Sequence, residues 1–86
     1  MVWVFSEQGE LDFGQLEPGM RRLFKAHMEK LLRMPPRKHL RLGRPFFCEK
    51  VTGQTRLIFR LEGESLRAVR CFSTHKEYEK WFRGMK

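Results

Sequence analysis

The chain predicts an α+β fold: a small antiparallel sheet, made of an N-terminal strand and a three-strand meander, packed on one or two N-terminal helices, with a short C-terminal helix. Three observations carry this. One run of apolar residues has helical spacing and two prolines stop it. Three strand-like runs follow, separated by short glycine-containing links. A capping pattern then opens the last stretch. The 86 residues suit one domain, spanning 1–86, since two cores could not be buried in so short a chain.

In chain order, residues 2–6 (VWVFS) are short, apolar and β-prone, a first strand. Residues 9–18 are mixed, with a short helix expected around 11–16. Pro18 suits the first turn of the next helix, where its missing N–H is not needed. Apolar residues then fall at Met20, Leu23, Phe24, Met28, Leu31 and Leu32, one face of a helix ending near Met34. Pro35 and Pro36 end it. Residues 37–44 (RKHLRLGR) form a basic connector. The runs 45–51, 55–61 and 65–72 read as strands, joined through Thr52-Gly53-Gln54 and Glu62-Gly63-Glu64 as hairpins are. Alternation on the middle strand puts Leu57, Phe59 and Leu61 toward the helices and Arg56, Ile58 and Arg60 on the opposite, arginine-bearing face. Thr74-His75-Lys76-Glu77 is a capping box, and the helix it opens carries Tyr78, Trp81 and Phe82 on one side.

Charge is the strongest functional signal. There are 18 Lys and Arg against ten Asp and Glu, a net of +8. Residues 1–19 hold Glu7, Glu10, Asp12 and Glu17 and no basic group, so the other 67 residues carry 18 basic against six acidic groups. That density points to a polyanionic partner: nucleic acid, an acidic protein segment or an anionic surface. No apolar run is long enough to span a membrane, and Glu7 and Glu10 stand where a secretory signal would be apolar. Two cysteines make no disulfide framework, so a reduced, cytoplasmic setting with buried thiols is expected. No metal or cofactor motif occurs; Cys48, Cys71 and His75 lack the close pairing of zinc ligands.

Three groups of residues could carry chemistry. Lys30, Arg33, Arg37, Lys38, Arg41 and Arg44 form an acid-free basic stretch suited to phosphates, although basic residues at a helix C-terminus are also favoured by its dipole. Arg56 and Arg60 neighbour Lys50 and one of Arg67 or Arg70 across the sheet. Gathered like charges want an anion between them, unless Glu49, Glu62 and Glu64 pair them off. His75, first in the last helix, shares a face with Tyr78. A neutral His, a Tyr and several arginines around one phosphate are the parts of a metal-free ribonuclease; equally, His75 could be an ordinary first-turn residue and Tyr78 could pack with Trp81 and Phe82.

Two stretches resemble the RelE/HigB-type toxins of toxin–antitoxin systems. Thr55-Arg56-Leu57-Ile58-Phe59-Arg60 is similar to their central strand, and Val69-Arg70-Cys71-Phe72-Ser73-Thr74-His75-Lys76-Glu77-Tyr78 to the Thr-His-x-x-Tyr ending of HigB-like members. The similarity covers roughly residues 12–82. It implies an mRNA interferase that enters the ribosomal 30S A site, cuts the bound message without metal, and is silenced by an antitoxin protein. By that resemblance Arg56 matches the phosphate-stabilising arginine, His75 the acid/base histidine of HigB- and YafQ-like members, and Tyr78 the terminal aromatic. Lys50 and Arg70 are looser matches, and Arg33, Arg37, Lys38, Arg41, Arg44 and Arg60 would bind RNA. Two other readings stay open: a non-catalytic relative that inhibits gyrase, as ParE-like members do, and a plain RNA- or ribosome-binding module.

Overall fold

The computed structural model describes residues 2–33 and 46–84. The elements run β1 (Val2–Phe5), α1 (Glu7–Gly14), α2 (Pro18–Arg33), β2 (Phe47–Lys50), β3 (Arg56–Glu62), β4 (Ser65–Phe72) and α3 (His75–Arg83). The α+β class, the meander and the short last helix match the sequence expectation. The basic connector, with Arg37, Lys38, Arg41 and Arg44, lies outside the described residues, as does the expected helix end at Met34.

The four strands are ordered β1-β4-β3-β2. The meander is antiparallel, but β1 joins β4 in parallel, so the sheet is mixed. Side-chain alternation states which face a strand buries and is silent on the direction in which an edge strand lies. The long return from β1 through two helices supplies the crossover that parallel pairing needs.

α1 starts directly off β1, earlier than the sequence suggested. Ser6 is its cap: Oγ accepts from the Gly9 N–H at 2.9 Å and donates to the Val69 carbonyl at 3.1 Å. The helix lies so close to β4 that a Cβ at Gly9 would run into the Ala68 carbonyl. Glycine in mid-helix is unfavourable in isolation, and here only glycine permits the approach.

Phe24, Met28 and Leu31 of α2 join Leu16, Leu57, Phe59, Leu66, Ala68 and Cys71 in the main core. The buried stripe of α2 is narrower than its apolar pattern, since Leu23 and Leu32 are exposed. Leu61, expected beside Leu57 and Phe59, is also exposed. Trp3 closes one side, its indole N–H donating to the Met28 carbonyl at 2.7 Å.

The opposite sheet face is not simply an arginine surface. Ile58 and Phe72 are buried there, and Trp81 of α3 packs on Phe72 and on Phe46, with ring centroids 5.6 and 5.8 Å apart. An irregularity in β4 sets what else faces that way. Ile58 pairs with Arg70 and Phe59 with Ala68, leaving Val69 as an extra residue. The bulge resets the alternation, so Arg67 and Arg70 both share a face with Arg60 and Ile58, where regular alternation admits only one of the two.

Candidate functional site

The site grows from the loop between β2 and β3. Thr52 Oγ1 accepts from the Gln54 and Thr55 N–H groups, folding residues 51–55 into a tight turn closed by Val51 N–H to the Thr55 carbonyl at 3.2 Å. The turn aims three carbonyls inward, and Arg56 answers them. Its Nη1 lies 3.0 Å from the Thr52 oxygen and 3.1 Å from those of Gly53 and Thr55. Arg56 is buried, a position a charged side chain holds only when well paired. Its Nε and Nη2 make no hydrogen bond to the described residues.

One row of the sheet runs Lys50, Arg56, Phe72 across β2, β3 and β4. Lys50 is exposed beside the buried Arg56. Phe72 leads through Ser73 into α3, whose cap is Thr74: its Oγ1 accepts from the Glu77 N–H at 3.1 Å. The expected box is half present, because the Glu77 carboxylate accepts from the Ser73 and Thr74 hydroxyls.

The cap delivers His75 and Tyr78 onto the Arg56 side of the sheet. The guanidinium carbon of Arg56 lies 5.8 Å from the Tyr78 ring centroid. The His75 ring lies 5.8 Å from the same ring. The His75 backbone N–H donates to Gln54 Oε1 at 3.3 Å, joining the start of α3 to the turn that Arg56 stabilises. His75 Nδ1 is 3.1 Å from Glu79 Oε1. Arg56 and His75 therefore both lie against the Tyr78 ring, and Lys50 is the cross-strand neighbour of Arg56.

The remaining basic residues go elsewhere. Arg70 Nε donates to Asp12 Oδ2 at 2.7 Å, and its guanidinium lies over Phe72. The same carboxylate oxygen accepts from the Cys71 N–H at 3.0 Å, so Asp12 caps the part of β4 that β1 is too short to cover. Arg70 lines a small polar cavity with Asp12, Gln15, Ser73 and Glu77. Arg60 and Arg67 are cross-strand partners with Glu62 between them, at 3.8 and 2.9 Å, and Arg60 also covers Phe46. Of the expected neutralising acids, Glu62 does this work, whereas Glu49 faces α2 and binds His27 at 2.7 Å. Arg33 is exposed at the end of α2.

Burial pushes the Cys71 thiol up to about 12, helped by the Asp12 charge and opposed by Arg70, so it is no nucleophile near neutrality. Among the described residues no cluster of three or more His, Cys, Asp or Glu could hold a metal ion. Among them, too, no helix is long and apolar enough to cross a membrane. Sequence reasoning passed over Gln54, Glu79 and Asp12. Glu79 was within reach, being four residues from His75 on one helix face. Gln54 and Asp12 act across 21 and 58 positions, and no local pattern signals such contacts.

No family model matches the chain, and no curated protein matches it in sequence. Solved structures do match. A chain of the intact E. coli RelBE toxin–antitoxin complex superposes with a TM-score of 0.73 at 16% identity, over 81% of this chain and 92% of that one. The isolated E. coli RelE toxin gives 0.72 at 15% identity over 98% of both chains. The Staphylococcus aureus YoeB–YefM complex gives 0.68 at 14% identity, over 80% of this chain and 91% of that one. The chain thus has the fold shared by the RelE and YoeB toxins.

Proposed function

We propose that this chain is the toxin of a toxin–antitoxin pair and acts as an mRNA interferase, a HigB-like endoribonuclease working on message in the 30S A site. The observation that supports this most is the convergence of Arg56, Tyr78 and His75, with Lys50 on the adjoining strand. The charge excess outside the first 19 residues fits a phosphate-bearing substrate. The antitoxin partner is supported by the fold, since neighbours were solved in complexes with antitoxins.

In this reading the 2′-hydroxyl oxygen attacks the adjacent phosphorus and loses its proton. The 5′-oxygen leaves and gains one, giving a 2′,3′-cyclic phosphate and a 5′-hydroxyl. His75 is the proton-transfer group. Arg56, through Nε and Nη2, and Lys50 stabilise the charged phosphorane. Tyr78 packs against both the arginine and the histidine. Arg70, held by Asp12, is left out of the chemistry, and no metal or cofactor takes part. Arg33, Arg60 and the connector residues Arg37, Lys38, Arg41 and Arg44 contact the RNA backbone outside the cleavage site.

Primer extension on messenger RNA after expression of the chain tests this. His75→Ala should lower cleavage by about 10²–10⁴-fold, and Arg56→Ala by about 10²–10³-fold. Equal cleavage by both variants and the parent would remove the site. A second reading has one observation in its favour: Arg56 spends Nη1 on its own turn, as a purely structural residue would. A ParE-like gyrase inhibitor would leave RNA intact and block supercoiling, so a gyrase assay run in parallel separates the two.

A further inference from the structure

We infer that Gln54 is a positioning residue: through its side-chain carbonyl, the turn that holds Arg56 also holds the first residue of α3, which is His75. The purpose of this tie rests on the nuclease reading; its geometry does not.

A backbone N–H can only donate, so the hydrogen bond from His75 N–H to Gln54 Oε1, at 3.3 Å, has one possible direction. That N–H is among those a helix start leaves without a partner inside the helix. Thr74 Oγ1 takes the Glu77 N–H from within the cap, whereas Gln54 takes the His75 N–H from 21 positions away. The glutamine reaches out from a fixed base. Its own N–H donates to Thr52 Oγ1 at 3.2 Å, the Thr55 N–H donates to the same oxygen at 3.1 Å, and the Thr52 and Thr55 hydroxyls are 2.8 Å apart. Thr55 is buried, so the turn is anchored in the interior. The carbonyls of Thr52, Gly53 and Thr55 in this turn meet Arg56 Nη1. One turn thus grips an arginine of the sheet through its backbone and a histidine of the helix through one side chain. The ring contacts of α3 with the sheet come further along the helix, from Tyr78 and Trp81. Among the described residues, Gln54 makes the hydrogen bond that ties the first residue of α3 to the rest of the chain.

Gln54 is exposed, so its side chain can be changed without unfolding the protein. Gln54→Met keeps the length and removes the acceptor. Gln54→Glu keeps an acceptor oxygen at a helix N-terminus, where negative charge is favoured. Amide hydrogen exchange by NMR on the whole chain reads the tie at the His75 N–H. Losing this one hydrogen bond should speed exchange of that amide about 3–10-fold in Gln54→Met, with the β3 and β4 amides and the melting curve unchanged. Gln54→Glu should restore the parent rate. Cleavage of message by Gln54→Met should fall in kcat by about the same 3–10-fold, with KM unaltered, and recover in Gln54→Glu. A His75 amide indifferent to Gln54→Met overturns the tie, and a freed amide with unchanged kcat overturns the positioning role. A parent chain that cuts no RNA, while Gln54→Met still frees the His75 amide, removes the nuclease reading and leaves the tie between turn and helix standing.

Discussion

Arg56 and Cys71 show how the same sheet treats two buried, ionisable side chains. Arg56 is accommodated because three carbonyl oxygens meet one of its nitrogens. Cys71, in the main core beside Asp12, stays a thiol because burial and a neighbouring negative charge both oppose the thiolate. The consequence for Cys71 has a definite sign. Between its ordinary value of 9.0 and about 12, the folded state keeps a proton that the unfolded state has lost. Its contribution to stability is therefore complete below pH 9.0 and is lost as pH rises toward 12. Iodoacetamide at pH 8 should label the half-buried Cys48 and spare Cys71 until the protein is denatured; peptide mass mapping with and without denaturant checks this. Arg56, His75 and Tyr78 were legible in the sequence because each sits at a fixed offset from a strand start or a cap. Gln54 was not, since its contact with His75 depends on a turn and a helix meeting in space.

At the scale of elements, α1 departs most from what the sequence suggests. Ser6 caps it, yet the residue three positions on is Gly9, where a capping box would have Glu or Gln. The cue is thus missing, and residues 9–18 read as a mixed stretch with a helix only around 11–16. The real cause of the glycine is the close passage of α1 across β4, a fact of packing. Gly9→Ala should cost stability, although alanine is the better helix former. The methyl meets backbone that cannot rotate away, and overpacking of this kind costs about 1–3 kcal/mol. Urea unfolding of the variant measures it; a more stable Gly9→Ala would show that α1 can move outward freely. The β4 bulge was legible only in part. Ala68-Val69 is an apolar doublet that breaks the alternation, but a doublet alone does not reveal which residue is extra.

Over the whole molecule the two faces of the sheet are unequal. One bears α1 and α2, with Phe24, Met28 and Leu31 of α2 buried in the main core. The other bears α3, none of whose nine residues is buried. The sequence announced α3 through its cap and its aromatic side, but a pattern of residues does not say how deeply a helix sinks. A nine-residue helix is too short to persist unaided. It relies on Tyr78 and Trp81 against Phe72, on Trp81 against Phe46, and on Gln54 at its first residue. Native-state hydrogen exchange should therefore find the α3 amides opening at a lower free energy than those of β3 and β4; equal protection would show that α3 unfolds only with the core. His75, Tyr78 and Glu79 all ride on that helix, while Arg56 belongs to the sheet. Warming would then separate the histidine from the arginine while the rest of the chain is still folded, so that loss of activity on heating would come first and be reversed on cooling.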